Sequence, residues 1–387
     1  MLEGVNVALG VTGSIAAVKV VELAHELRRQ GAAVRGVLSE GAQGIVHPWA
    51  VEFATAHEPI TELTGRVEHV ELCGRDGWAD VLLIAPCTAN TVGKIAAAVD
   101  DTPVTTTATT ALGADVPVVI APAMHEPMYD HPGVLDAIET VESWGVEFVD
   151  PRIEEGKAKI ATEEAIVTET ARAAADNPLD GDHVVVTSGA TSEPIDPIRV
   201  LTNRASGKTG RAIARGCHVL GADVTLVHDG DDVPYADVHQ VESAAEMLDA
   251  VLDAAEGGAD ALISAAAISD FTVDAAPEKL KSGEERTLPL TPAPKLIDAV
   301  REAHPTLPIV GFKAETAGGH EALVSEARRI QDRSDLAFVV ANDASVMGDD
   351  ETRVLFVRNG GYTEFTGSKT ALGLQVAQEL AAELGSE

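Results

Sequence analysis

The side chains that could move a proton or hold a phosphate fall into two groups, one in each half of the chain. In the first half His69 precedes the apolar run Val81 to Ala85, and an unperturbed imidazole, titrating near ~6.5, can trade protons at neutral pH. Pro86-Cys87-Thr88-Ala89-Asn90-Thr91 follows that run directly, at the strand end where α/β folds place ligands. Its hydroxyls and amide could read a cofactor, and they could equally cap a helix starting near Thr91. The loop Gly10-Val-Thr-Gly13-Ser14 opens a helix whose free N–H groups suit an anion, although it lacks the G-x-G-x-x-G spacing. In the second half the long loop Ser188 to Lys208 concentrates Arg199, Asn203, Arg204 and Lys208, which suits nucleotide phosphates or salt bridges to neighbouring carboxylates. Ser206-Gly207-Lys208-Thr209 is not a P-loop, since position 202 is Thr where that motif needs Gly. His125-Glu-Pro-Met-Tyr-Asp-His131 is not H-E-x-x-H either, and Pro127 argues against a regular helix there, so a polar loop is expected rather than a metal site.

Two similar βαβ starts must carry these groups. Val5 to Leu9 reads as a strand, Ile15 to Gln30 as a helix and Val34 to Leu38 as the next strand. The pattern returns with strand His183 to Thr187, helix Thr209 to Leu220 and strand Ala222 to Val227. Further buried strands are expected at Val81 to Ala85, Val116 to Ala121, Ala261 to Ala267, Ile309 to Phe312 and Leu336 to Ala341. Arg353 to Arg358 and Tyr362 to Phe365 flank Asn359-Gly-Gly as a hairpin, and Ser368 caps a last helix ending at Leu384. The expected class is α/β: two Rossmann-like three-layer domains, each a mostly parallel sheet flanked by helices, the second with an antiparallel hairpin. The boundary is expected near residue 178, giving domains 1–178 and 179–387.

Composition narrows the function classes. The 387 residues carry 28 Lys plus Arg against 62 Asp plus Glu, a net charge of −34, so phosphate-driven nucleic-acid binding is excluded. A hydrophobic share of 45% rules out disorder as the source of that acidity. Acid spread along the chain, with few Lys, points to a high-salt surface, against the plainer reading of an ordinary acidic cytosolic protein. No apolar run reaches the ~20 residues of a membrane helix, and Met1 to Leu9 is no signal peptide, so a cytoplasmic protein without membrane contact is expected. Three cysteines, at 73, 87 and 217, make no disulfide framework or Cys-rich zinc site.

A set of segments in order gives a more specific reading: GVTGSIAAVK (Gly10 to Lys19), HVELCGRDGWADVLLIAPCTANTVGK (His69 to Lys94), APAMHEPMY (Ala121 to Tyr129), TSGATSEPIDPIRVLTNRASGKTG (Thr187 to Gly210), SAAAISDF (Ser264 to Phe271), APEKLK (Ala276 to Lys281), GFKAET (Gly311 to Thr316) and AND (Ala341 to Asp343). They resemble the bifunctional coenzyme A biosynthesis flavoproteins, in which phosphopantothenoylcysteine decarboxylase is fused to phosphopantothenate–cysteine ligase. The resemblance, nearest to the archaeal branch, covers nearly the whole chain. It implies that Gly13, Ser14 and Ser39 hold FMN and its phosphate, with Thr88, Asn90 and Thr91 near the flavin. Bound FMN would oxidise the cysteinyl thiol to a thioaldehyde, an electron sink that lets carbon dioxide leave and an enethiolate form; the electrons then return. His69 matches the essential histidine, as a base or by placing the carboxylate.

For the second half the resemblance implies that 4′-phosphopantothenate is activated by CTP as an acyl cytidylate, which the amine of cysteine then attacks. Arg199, Asn203, Ala266 and Lys279 match positions tied to activation and attack. Asp270, Lys279, Phe312 and Asp343 would hold CTP, and Asp270 is the candidate Mg²⁺ ligand. Trimeric flavin units and dimeric ligase units would make a homo-oligomer.

Two departures stand out. His125 replaces the Asn of the substrate motif, and the stretch Glu154 to Ala161 lacks the acid Cys of bacterial members. Lys157, Lys159 or His125 is then the candidate proton donor to the enethiolate. Rival readings are a ligase with a vestigial flavin domain, a regulatory flavoprotein, and an NAD-dependent dehydrogenase, the last disfavoured by the absence of G-x-G-x-x-G.

Overall fold

The computed structural model describes residues 1–154, 157–281, 283, 285–315, 320–343 and 351–385; Glu155, Gly156 and Thr316, named above, lie outside the described residues, as do the side chains of Lys157 and Asp343. It divides into two compact units, Met1–Ala175 and Asp176–Glu387.

The first unit opens with β1 (Asn6–Val11), a 3-10 helix over Ile15–Lys19, α1 (Val20–Arg29) and β2 (Ala33–Leu38). The single helix expected over 15–30 is thus split. Ile15 and Val18 face outward, and the stripe that anchors an α-helix to the sheet starts only at Val20, continuing through Leu23, Ala24 and Leu27. Short helices α2 (Glu40–Gln43), α3 (Pro48–Thr55) and α4 (Glu68–Cys73) lead to β3 (Val81–Cys87), which is buried at every position, as a central parallel strand must be. His69 therefore stands on α4, a short helix ahead of that strand. Then come α5 (Ala89–Ala96), α6 (Pro103–Gly113), β4 (Val118–Pro122), β5 (Met124–His125), α7 (Glu126–Tyr129), α8 (Pro132–Glu142) and β6 (Glu147–Phe148). Pro127 does not prevent helix, because it falls in the first turn of α7, where its missing N–H would have no partner anyway. The hairpin β7 (Arg152–Glu154) and β8 (Lys157–Lys159) precedes α9 (Glu163–Ala173).

Five strands in the order β2-β1-β3-β4-β6 pair in parallel, so the strand order reverses between β1 and β3. A small separate sheet, β5-β8-β7, was not expected from the sequence. Its antiparallel register sets His125 opposite Lys157 and Met124 opposite Ala158. Three of the groups singled out above thus share one short ladder, since Lys159 lies opposite Arg152.

The second unit begins with β9 (His183–Thr187), a two-stranded ribbon of β10 (Ser192–Pro194) and β11 (Val200–Thr202), and α10 (Lys208–Val219). The expected loop 188–208 is therefore partly ordered as strands, which its polar sequence concealed. β12 (Asp223–His228), β13 (Asp237–Gln240), α11 (Ala244–Glu256) and β14 (Ala261–Ser264) follow. A second ribbon, β15 (Phe271–Thr272) with β16 (Thr291–Pro292), leads to α12 (Leu296–Ala303), β17 (Ile309–Glu315), α13 (His320–Ser334) and β18 (Phe338–Asp343). The hairpin β19 (Glu351–Arg358) and β20 (Gly361–Ser368) joins the sheet antiparallel, and α14 (Lys369–Leu384) ends the fold with Ser368 as its cap. The sheet order is β13-β12-β9-β14-β17-β18-β19-β20, with its reversal between β9 and β14.

The helices α10 and α14 cross backbone to backbone. A Cβ on Gly373 would lie 2.1 Å from the Ala212 carbonyl oxygen, and one on Gly216 would lie 2.5 Å from that of Gly373. Only two glycines permit this approach, which brings the last helix onto the helix opened by Gly207 and Lys208.

Candidate functional site

In the first unit the reversal between β1 and β3 gathers three helix entrances. Ser14 caps the 3-10 helix, accepting from the Ala16 amide; Ser39 caps α2, accepting from Ala42; Thr88 caps α5, accepting from Thr91. Each hydroxyl spends its acceptor on its own helix. The Ser14 and Ser39 O–H groups remain able to donate to an anion, and the Thr88 and Thr91 hydroxyls bond each other at 3.0 Å. Thr12 ties the loops together: its hydroxyl donates to the Pro86 carbonyl at 2.9 Å and accepts from the Thr88 amide at 3.0 Å. Gly13 packs against Gly41, since a Cβ on Gly13 would stand 3.1 Å from the Gly41 Cα. The result is a bare backbone cradle flanked by hydroxyl donors, which fits the phosphate end of a flavin nucleotide. Asn90 is exposed beside it, while Thr91 is buried. Thr12 and Gly41 were missed by the sequence reading; their roles depend on contacts with loops far along the chain.

His69 keeps its Nδ1 buried without a hydrogen-bond partner among the described residues, an arrangement that leaves it free to bond a ligand. No described hydrogen bond links it to the Ser14, Ser39 and Thr88 group. The three thiols offer no substitute for a proton donor. All are buried; burial pushes Cys73 and Cys217 up to about 12, and raises Cys87 as well.

In the second unit the reversal between β9 and β14 zips two loops together. Thr187 Oγ1 accepts from the Ala266 amide at 3.2 Å, Ala267 N donates to the Gly189 carbonyl at 2.9 Å, and Thr191 Oγ1 accepts from the Ser269 amide at 2.8 Å. Asn203 Nδ2 donates to the Ala267 carbonyl at 2.8 Å, so Asn203 and Ala266 meet at one strand end. Ser188 Oγ donates to the Gly207 carbonyl at 2.8 Å, which holds the α10 entrance, with exposed Lys208, against the end of β9. Phe312 lies at the same strand ends, one residue beyond the Gly311 that pairs with Ser264. Asp343 is farther along, opposite Glu315 in the β17–β18 ladder.

Two features of this site were not expected. Asp270 is ion-paired with Lys295, Nζ to Oδ1 at 2.6 Å, so its carboxylate already has a cation. No group of three or more His, Cys, Asp or Glu side chains that could hold a metal occurs among the described residues. This donor set does not build a metal site by itself. Arg199 is linked to the segment after Lys279, because its Nη1 donates to the Leu280 carbonyl at 3.1 Å and pairs with Asp196. Asp196 was also missed, although an Asp-Pro pair is a recognised turn signal.

The comparisons with known proteins agree with this division. Residues 1–175 match the family model described as flavoprotein, and residues 179–384 match the DNA/pantothenate metabolism flavoprotein C-terminal domain. The coenzyme A biosynthesis bifunctional protein CoaBC of Thermococcus kodakarensis is 49% identical over 92% of this chain and 89% of its own length. The protein of the same name from Methanocaldococcus jannaschii is 34% identical over 98% of this chain and 94% of its own length. That from Bacillus subtilis is also 34% identical, over 99% and 98%. With both halves matched and the relatives aligned along almost the full chain, this protein belongs to the CoaBC family of bifunctional enzymes of coenzyme A biosynthesis.

Proposed function

We propose that the second unit joins cysteine to 4′-phosphopantothenate at the expense of CTP, and that the first decarboxylates the phosphopantothenoylcysteine so formed to 4′-phosphopantetheine. The observation that carries the ligase reading is the meeting of Asn203 and Ala266 at the β9–β14 reversal. In the first step a carboxylate oxygen of the substrate attacks the α-phosphorus of CTP, and pyrophosphate leaves. The amine of cysteine then attacks the acyl carbon, CMP leaves with the bonding pair, and the amine loses its proton. Lys279 and Arg199 neutralise charge on the phosphorylated groups, and Asn203 hydrogen-bonds the acyl cytidylate. Phe312 and Asp343 hold the nucleotide. Asp270, held by Lys295, would be the single protein carboxylate offered to a Mg²⁺ ion brought in by the nucleotide, and that ion would supply charge neutralisation on the phosphates.

In the first unit FMN, when bound, supplies the reversible two-electron chemistry. Gly13, Ser14 and Ser39 hold its phosphate end, Thr88, Asn90 and Thr91 border its ring, and His69 orients the carboxylate to be lost. The burial of all three thiols leaves protonation of the enethiolate to His125, Lys157 or Lys159, which lie on the β5-β8-β7 ladder. Exposed Ile15, Val18, Trp49 and Phe53 support self-association of the flavin unit.

The test is product mass in molar KCl from 4′-phosphopantothenate, cysteine, CTP and Mg²⁺, with release of FMN from the purified protein measured separately. Appearance of 4′-phosphopantetheine is the expected result. Accumulation of phosphopantothenoylcysteine alone would leave a ligase with an idle flavin unit, and no product from CTP with turnover from ATP would overturn the nucleotide assignment.

A further inference from the structure

Asp196 is an enclosed carboxylate at the ligase strand ends: its side chain is 0% exposed, whereas that of its partner Arg199 is 45% exposed. A buried carboxylate is costly unless its oxygens are well bonded, and here the bonds join its own turn to one segment 84 residues along the chain. Oδ1 accepts from the amides of Ile198 at 2.8 Å and Arg199 at 2.9 Å. Oδ2 accepts from the Leu280 amide at 3.1 Å and pairs with the Arg199 guanidinium. Arg199 Nη1 closes the ring by donating to the Leu280 carbonyl at 3.1 Å. One more backbone bond, Ala276 N to the Ile195 carbonyl at 2.9 Å, fastens the same two stretches. Burial alone would push the Asp196 carboxyl up, but the three amides and Arg199 outweigh it and hold it at about 2.

We propose that Asp196 is a positioning residue of the ligase site, fixing Arg199 and the Lys279–Leu280 segment in one frame so that both cations meet the same phosphorylated ligand. Among the described residues Arg199 Nε and Nη2 have no partner, so the edge of the guanidinium not turned to Asp196 and Leu280 is available to that ligand. A bidentate guanidinium must be held in plane to be of use, and a carboxylate behind it does this without touching the ligand. The proposal rests on the reading that Arg199 and Lys279 act on the substrate or nucleotide.

The experiment is a double-mutant cycle on the full chain with Asp196→Asn, Arg199→Gln and the pair, scoring ligation KM and kcat separately and using decarboxylation of phosphopantothenoylcysteine as the internal control. Asp196→Asn is expected to raise the KM for 4′-phosphopantothenate or CTP about tenfold, and to add little once Arg199→Gln is present, as coupled neighbours do. Wild-type ligation by Asp196→Asn, or effects that simply add, would overturn the positioning role while leaving the underlying reading intact. If Arg199→Gln and Lys279→Gln themselves leave ligation unchanged, that reading falls instead. Should Asp196→Asn unfold the second unit, Arg199→Lys decides the matter: it keeps the charge but loses the fork, so wild-type KM values in that variant would overturn the proposal.

Discussion

The two strand-end sites are held together in different ways. In the flavin unit the functional hydroxyls close on the helix they open: Ser14, Ser39 and Thr88 each accept from an amide two or three residues on, and Thr12 is the one hydroxyl described there that spans to a distant loop. In the ligase unit nearly every functional group hangs from a distant segment: Asn203 from Ala267, Ala266 from Thr187, Ser269 from Thr191, and Leu280 from Asp196. Locally closed sites tolerate the loss of one member, whereas a site tied across the fold loses several placements at once.

The largest effect expected on this contrast is at Lys279. Lys279→Gln should cut ligation by roughly a thousandfold, the scale of a lost charge-stabilising contact, with decarboxylation and FMN content unaltered. A parallel loss of FMN would break the separation of the two sites. Thr12→Val, which removes the hydroxyl tie between these loops, should cost about 2 kcal/mol by leaving the Thr88 amide without its partner, while the Pro86 carbonyl keeps the backbone amide of residue 12 at 3.2 Å. Urea unfolding followed by flavin fluorescence checks it, and a cost below that of a single cap would show that the loops need no such tie. Ser39→Ala should cost about 1 kcal/mol, the ordinary price of an N-cap, while ligation stays at the wild-type level.

The smallest effect is one of pH. The Asp196 carboxyl is held below its unfolded value, so its contribution is fully present above pH ~4 and is lost as the pH falls toward 2. The difference in denaturation midpoint between wild type and Asp196→Asn should therefore shrink over that interval and be flat from pH 5 to 7. A difference that persists at pH 2 would mean the carboxylate's charge does not matter.

The same contrast explains what could be read in advance. Strand His183–Thr187 and the last helix from Ser368 to Leu384 match the sequence expectation, because apolar runs and caps are local signals. Ser14 and Thr88 were visible for the same reason. The ribbon β10–β11 was read as loop and β15–β16 was not singled out, since strands of two or three residues carry no period. Lys295 and Asp196 stayed hidden because what assigns them, a carboxylate 25 residues away in one case and an amide 84 residues away in the other, exists only once the chain is folded. His69 was noticed as a chemical type, but its orphaned Nδ1 is a fact of packing.

The glycine crossing of α10 and α14 also sets an order of assembly. The helix that opens at Lys208 is synthesised long before Gly373, and its outer face has no seat until that residue arrives. At roughly 5–20 residues per second a ribosome would therefore release a finished flavin unit many seconds before the ligase can close. A chain interrupted ahead of Gly373 would carry one working half and one that never locks.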